Sequence, residues 1–166
     1  MNSVQKVVAA ILTSIAIIAL GTNVNAQEKK IHKKDVPQAV LAAFEKNYPD
    51  AKVRGYSTEA EDGKTFFEIE SMRGRMTLDV SYLPDGSAAE IEEGVTVGEL
   101  PDAVKAAVKS NYPRGTIARA ERRTVGTTVT FELRIRSGKA QVGMEIDPAG
   151  KILKKTTKNA ESERND

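Results

Sequence analysis

The sequence has 166 residues, a formal net charge of +2, 40% hydrophobic and 29% charged residues, one His, no Cys and no Trp. Cysteine nucleophiles, disulfides and thiolate metal sites are excluded, and a lone His32 leaves no histidine-rich metal cage. The length predicts one domain or two small ones, with the residue balance of an ordinary globular protein.

Behind Lys6, Val7 to Leu20 run apolar for fourteen residues before the more polar Gly21 to Ala26. This pattern predicts a secretory signal peptide over residues 1–26, cut after Ala26, with Val24 and Ala26 as the small residues before the cut. As a helix, such a run rises only about 21 Å, short of a bilayer core of roughly 30 Å, so no stable membrane insertion is expected. The mature chain is expected in the periplasm or outside the cell. Residues 27–34 read as a charged, disordered lead-in and residues 159–166 as a disordered tail.

The mature chain matches itself at an offset of 64. Val36-Pro37-Gln38-Ala39-Val40 lies over Leu100-Pro101-Asp102-Ala103-Val104, and Asn47-Tyr48-Pro49 over Asn111-Tyr112-Pro113. Phe67-Glu68-Ile69 falls on Phe131-Glu132-Leu133, Gly74 on Gly138, and Pro84-Asp85-Gly86 on Pro148-Ala149-Gly150. Two repeats are therefore expected, over residues 35–98 and 99–158. Each opens with an i, i+4 apolar stripe bracketed by prolines, which predicts a helix: Val36, Val40, Phe44 and Tyr48, then Leu100, Val104, Val108 and Tyr112. The period then changes to two. In the first repeat it predicts strands near 52–59, 65–72, 75–83 and 88–93, separated by Gly-containing turns; the first of these does not hold its alternation in phase. The expected fold is α+β, two tandem units, each one helix packed on a four-stranded antiparallel sheet with its other face polar.

These residues resemble the PepSY-like family, small exported bacterial proteins described as beta-lactamase-inhibitor-like. The resemblance rests on Val/Leu-Pro-x-Ala-Val, Asn-Tyr-Pro, the Phe-Glu-Ile/Leu strand and the glycine turns, doubled behind a signal peptide, and spans Val36 to Thr157. It implies tandem units and a binding or inhibitory role, and brings no catalytic residues.

Alternation places Phe66 opposite the inward Phe67 and Ile69, as an exposed aromatic on a polar strand face, a candidate contact anchor. Glu68, Glu70 and Asp79 are expected on the same face. With few aromatics and no covering lid evident, nothing there is expected to dry a carboxylate for acid–base work, and no enzyme, cofactor or metal is expected. Charge separates the repeats: residues 35–98 hold 13 acids and 6 bases, residues 99–158 hold 6 acids and 13 bases. Arg134 and Arg136 are the candidate contact residues of the basic part. Nucleic acid is not expected as a partner, because stacking aromatics are missing around these arginines. The sequence thus points to an exported, non-catalytic binding module whose partner is a protein or peptide. The alternative is a structural or self-assembling envelope protein whose oppositely charged halves associate weakly and in a salt-dependent way.

Overall fold

The computed structural model describes residues 28–159; the expected signal peptide and the tail beyond Asn159 lie outside the described residues. In chain order the elements are β1 (Lys29–Lys30), α1 (Gln38–Asn47), β2 (Lys52–Glu61), β3 (Lys64–Arg73), β4 (Met76–Tyr82), β5 (Ala88–Gly94), α2 (Asp102–Asn111), β6 (Thr116–Val125), β7 (Thr128–Ser137), β8 (Ala140–Ile146) and β9 (Ile152–Asn159). Every strand pairs antiparallel with the next, so the nine form one sheet in sequence order.

This corrects the expectation of two units with separate four-stranded sheets. The pairing of β5 with β6, from Glu90 opposite Val125 to Gly94 opposite Glu121, joins what would otherwise be two exposed sheet edges. Unpaired edges invite association with other chains, and closing one on the other within the molecule removes both. The lead-in, expected to be disordered, contributes β1: Lys29 pairs with Thr58 and Lys30 with Ser57.

Each helix starts after a proline and ends where Tyr48 or Tyr112 leaves helical geometry ahead of the next proline. α1, with Val36 two residues ahead of it, buries Val40 and Phe44 against Ile69, Leu78, Val80 and Tyr82. α2 buries Val104 and Val108, with Leu100, against β6, β7 and β8 through Ala120, Phe131, Leu133, Ile135, Val142, Met144 and Ile146. Ile91 of the first cluster stands opposite Thr124, which lies an even number of residues from Ala120 of the second. Both helices therefore cover the same face of the sheet, and the other face carries no helix.

The turns after β4 and β8 are fixed by glycine. Gly86 and Gly150 have φ of +86° and +87°, and a Cβ there would lie 2.7 Å from the Ala39 carbonyl oxygen and 2.6 Å from that of Ala103. Each turn thus seats directly on helix backbone. Gly86→Ala and Gly150→Ala should each cost more than about 1–2 kcal/mol, the left-handed penalty alone, because the contacted atom is backbone and cannot swing aside. Urea unfolding of the variants checks this, and an unchanged midpoint would refute it.

Candidate functional site

The face without helices is where the chemistry-bearing side chains gather. β-strand alternation and the register put Lys30, Ser57, Glu68, Ser81 and Glu90 in one row across it, and Glu70, Asp79, Glu92, Arg123 and Thr130 in the next. A third row runs through Glu121, Glu132, Glu145 and Lys154, and a fourth through Arg119, Arg134, Gly143 and Thr156. The charge split of the sequence becomes spatial: acids dominate over β1 to β5, bases over the far end of β6 to β9.

Where the two charge fields meet, Arg123 is buried with only 8% of its side chain exposed. Its Nε and Nη2 donate to the two carboxylate oxygens of Glu90 at 2.5 and 2.7 Å. Glu92 lies at 3.8 Å and Glu132 at 3.9 Å from the same guanidinium. Burial, then the charges of Glu132 and Glu90, push the Glu92 carboxyl up to about 9. Burial also raises Glu132, against the opposing pull of Arg123.

A raised carboxyl has a definite linkage sign. Between 4.5 and about 9 the folded state keeps a proton on Glu92 that the unfolded chain has released, so stability falls as pH rises through that window. Glu92→Gln keeps the neutral shape and should flatten the fall, gaining at least about 1 kcal/mol at pH 8, the low end of the cost of an uncompensated buried polar group. Thermal melts of both proteins at pH 5 and pH 8 decide it; an unchanged pH slope in the variant would count against this reading.

The candidate residues read from the sequence all fall on this face, though not in one spot. Glu68 accepts a hydrogen bond from Ser57 Oγ at 2.8 Å, and burial raises its carboxyl nevertheless. Asp79 accepts from the Ser71 amide at 3.1 Å and is likewise raised by burial. Glu70 pairs with Lys30. Arg134 and Arg136 stand exposed on β7, opposite Arg119 and Thr116. Phe66 differs from expectation: it lies on this face, across from Glu59, yet it is buried, with 8% exposed. The sequence reading missed the cluster of Glu90, Glu92, Arg123 and Glu132. Its signal was present as the acidic run Glu90-Ile91-Glu92-Glu93 and the basic run Arg119 to Arg123, but only the β5–β6 pairing sets one against the other.

The carboxylates of Glu28, Glu68 and Glu70 come within 4.8 Å of one another. The Lys30 ammonium bridges Glu28, at 2.8 Å, and Glu70, supplying the positive charge that such a group needs. Beyond the Arg123 cluster, β6 to β9 form an open cleft of about 800 Å³, with Arg119, Arg134, Gln141, Lys154, Thr156 and Lys158 along its basic part.

The chain is thus a nine-stranded antiparallel meander with both helices on one face and a charged opposite face, an α+β protein. The family model described as "Putative beta-lactamase-inhibitor-like, PepSY-like" matches residues 22–82 and 65–154, and the chain belongs to that family. Three solved structures share the fold. A protein described as one of the "putative periplasmic proteins" from Bacteroides eggerthii is 16% identical with a TM-score of 0.62, over 74% of this chain and 88% of that one. A DUF2874 family protein from Bacteroides uniformis is 17% identical, TM-score 0.61, over 74% and 89%. A BLIP-like protein from Bacteroides fragilis is 17% identical, TM-score 0.57, over 75% and 87%. No curated protein matches the chain in sequence.

Proposed function

We propose that the protein is an exported, non-catalytic binding module that holds a protein or peptide partner on the helix-free face of its sheet. The observation that carries this reading is the concentration on that one face of charged side chains beyond those the fold uses, beside a cleft. The family description, the apolar N-terminal run and the periplasmic description of a structural neighbour support export and a binding role. A photo-crosslinking amino acid placed at Glu68, Asp79 or Arg136 in the exported protein, with Lys46 and Lys105 on the helices as controls, tests it. One partner captured from the sheet face and not from the helices is the expected result. Capture only from the helix positions, or from none, would overturn it.

A second reading is favoured by the charge split itself, 13 acids to 6 bases over residues 35–98 and the reverse over 99–158. Two copies could then associate, acidic part to basic part. Light scattering separates the two readings, since such association grows at low ionic strength and vanishes near 0.5 M salt, where screening shortens to about 4 Å.

A further inference from the structure

The basic cleft has features that the fold does not account for. Arg119 and Arg134 stand directly opposite each other on neighbouring strands, an arrangement of like charges that destabilises a sheet. Arg119 is partnered by Glu121, but Arg134, Arg136, Lys154 and Lys158 have no ion-pair partner among the described residues. Lysines on an edge strand such as β9 guard against sheet-to-sheet aggregation. That explains Lys154 and Lys158 but not Arg134 and Arg136, which lie two strands inside the edge, on β7.

The floor beside Arg134 carries no side chain of its own. Its neighbour on β8 is Gly143, where a Cβ would come within 2.7 Å of Thr156 Oγ1. The Thr156 hydroxyl thus leans over the glycine next to the guanidinium. The acids of the cleft, Glu121, Glu132 and Glu145, lie in the adjoining row toward Arg123, so the positive field is confined to the end formed by Arg119, Arg134 and Lys158, with Arg136 beside it. A volume of about 800 Å³ lies within the range of ligand clefts and is open enough for extended chain.

We propose that this cleft receives an acidic segment of the partner protein, whose carboxylates lie between Arg119, Arg134 and Lys158, with Arg136 adding its charge from the row of Gln141 and Lys158. The inference rests on the binding reading above and names the chemistry of the partner. A guanidinium donates two parallel N–H bonds to a carboxylate, which relieves the Arg119–Arg134 opposition when the ligand arrives.

The test uses the mature chain and a fluorescent ten-residue peptide of alternating Glu and Ser, compared with its Gln and Ser counterpart. The Glu peptide should bind more tightly than the Gln peptide by about tenfold or more, and Arg134→Glu should remove that advantage. Lys158→Glu should weaken binding as well, while Lys46→Glu on α1, on the opposite side of the sheet, leaves it unchanged. The unfolding midpoint of each variant shows whether the fold survives. Equal binding of the two peptides, or indifference to both reversals in folded protein, overturns the proposal. So does displacement of the peptide by inorganic phosphate or by phosphatidylglycerol vesicles at matched charge, which would mark a general anion site or a membrane surface. If the crosslinked partner is still captured from Glu68 and Asp79 in the Arg134→Glu variant, the binding reading stands and only the acidic-segment inference fails.

Discussion

Replacing Arg123 with Met is expected to cost about 3–5 kcal/mol at pH 7, among the largest effects of any surface-face substitution in this protein. The side chain is 8% exposed and its partner Glu90 only 15% exposed, so the pair is shielded from water. Removing the guanidinium leaves the shielded Glu90 carboxylate, beside Glu132 and the protonated Glu92, with nothing to offset its charge. An apolar replacement of both partners, Arg123→Met with Glu90→Met, should recover most of the loss, because the cost arises from the orphaned charge and not from a missing attraction. The same cluster spans the β5–β6 junction, so the single variant should also loosen the pairing of Glu90 to Gly94 with Glu121 to Val125. Hydrogen exchange at those amides, beside denaturant melts, measures both effects. A single variant as stable as the parent, or a double variant no better than the single, would show that Arg123 is not the element that neutralises the cluster.

How far the fold was legible in the sequence depended on the range of the physics involved. Helices and turns are local: the stripe Val36, Val40 and Phe44 with Pro37 at the helix start and Pro49 past its end, and glycines such as Gly86 and Gly150 that alone tolerate a positive φ against helix backbone, carry their structure in a few residues. The first strand after each helix lost phase in the sequence for a local reason as well. β2 has a register shift between Val53 and Gly55 and β6 one between Ile117 and Arg119, and a bulge turns the following side chains to the other face. What could not be read was pairing across a long connection. Nothing in Ala88 to Gly94 or Thr116 to Val125 alone says that they are neighbours, since α2 lies between them in sequence. The separation into two sheets failed on that one contact, and with it the chance to see Glu90 and Arg123 as partners. The short β1 was missed because its lysines carry no alternation and its order comes from the edge of β2 that it covers. The faces were easier: once Ile69 is inward, parity alone places Glu68, Glu70 and Phe66 outward.

Parity gives direction but not exposure, and Phe66 is where the difference is measurable. It lies on the charged face yet is only 8% exposed and belongs to neither hydrophobic cluster under the helices. Phe67, on the helix side, is half-buried at the margin of the first cluster, while Phe131 is buried within the second. Truncation cost follows the apolar area lost and the cavity left, so Phe66→Ala should cost about 3–5 kcal/mol, alongside Phe131→Ala and above Phe67→Ala. This reverses the order that an exposed Phe66 would give. Phe66→Leu, which keeps most of the buried volume, should cost much less than Phe66→Ala. Urea unfolding of the four variants establishes the order. If Phe66→Ala were the mildest, the ring would be available at the surface as a contact anchor; if it is among the most damaging, Phe66 braces the charged face from within, and a partner meets the carboxylates and guanidinia around it.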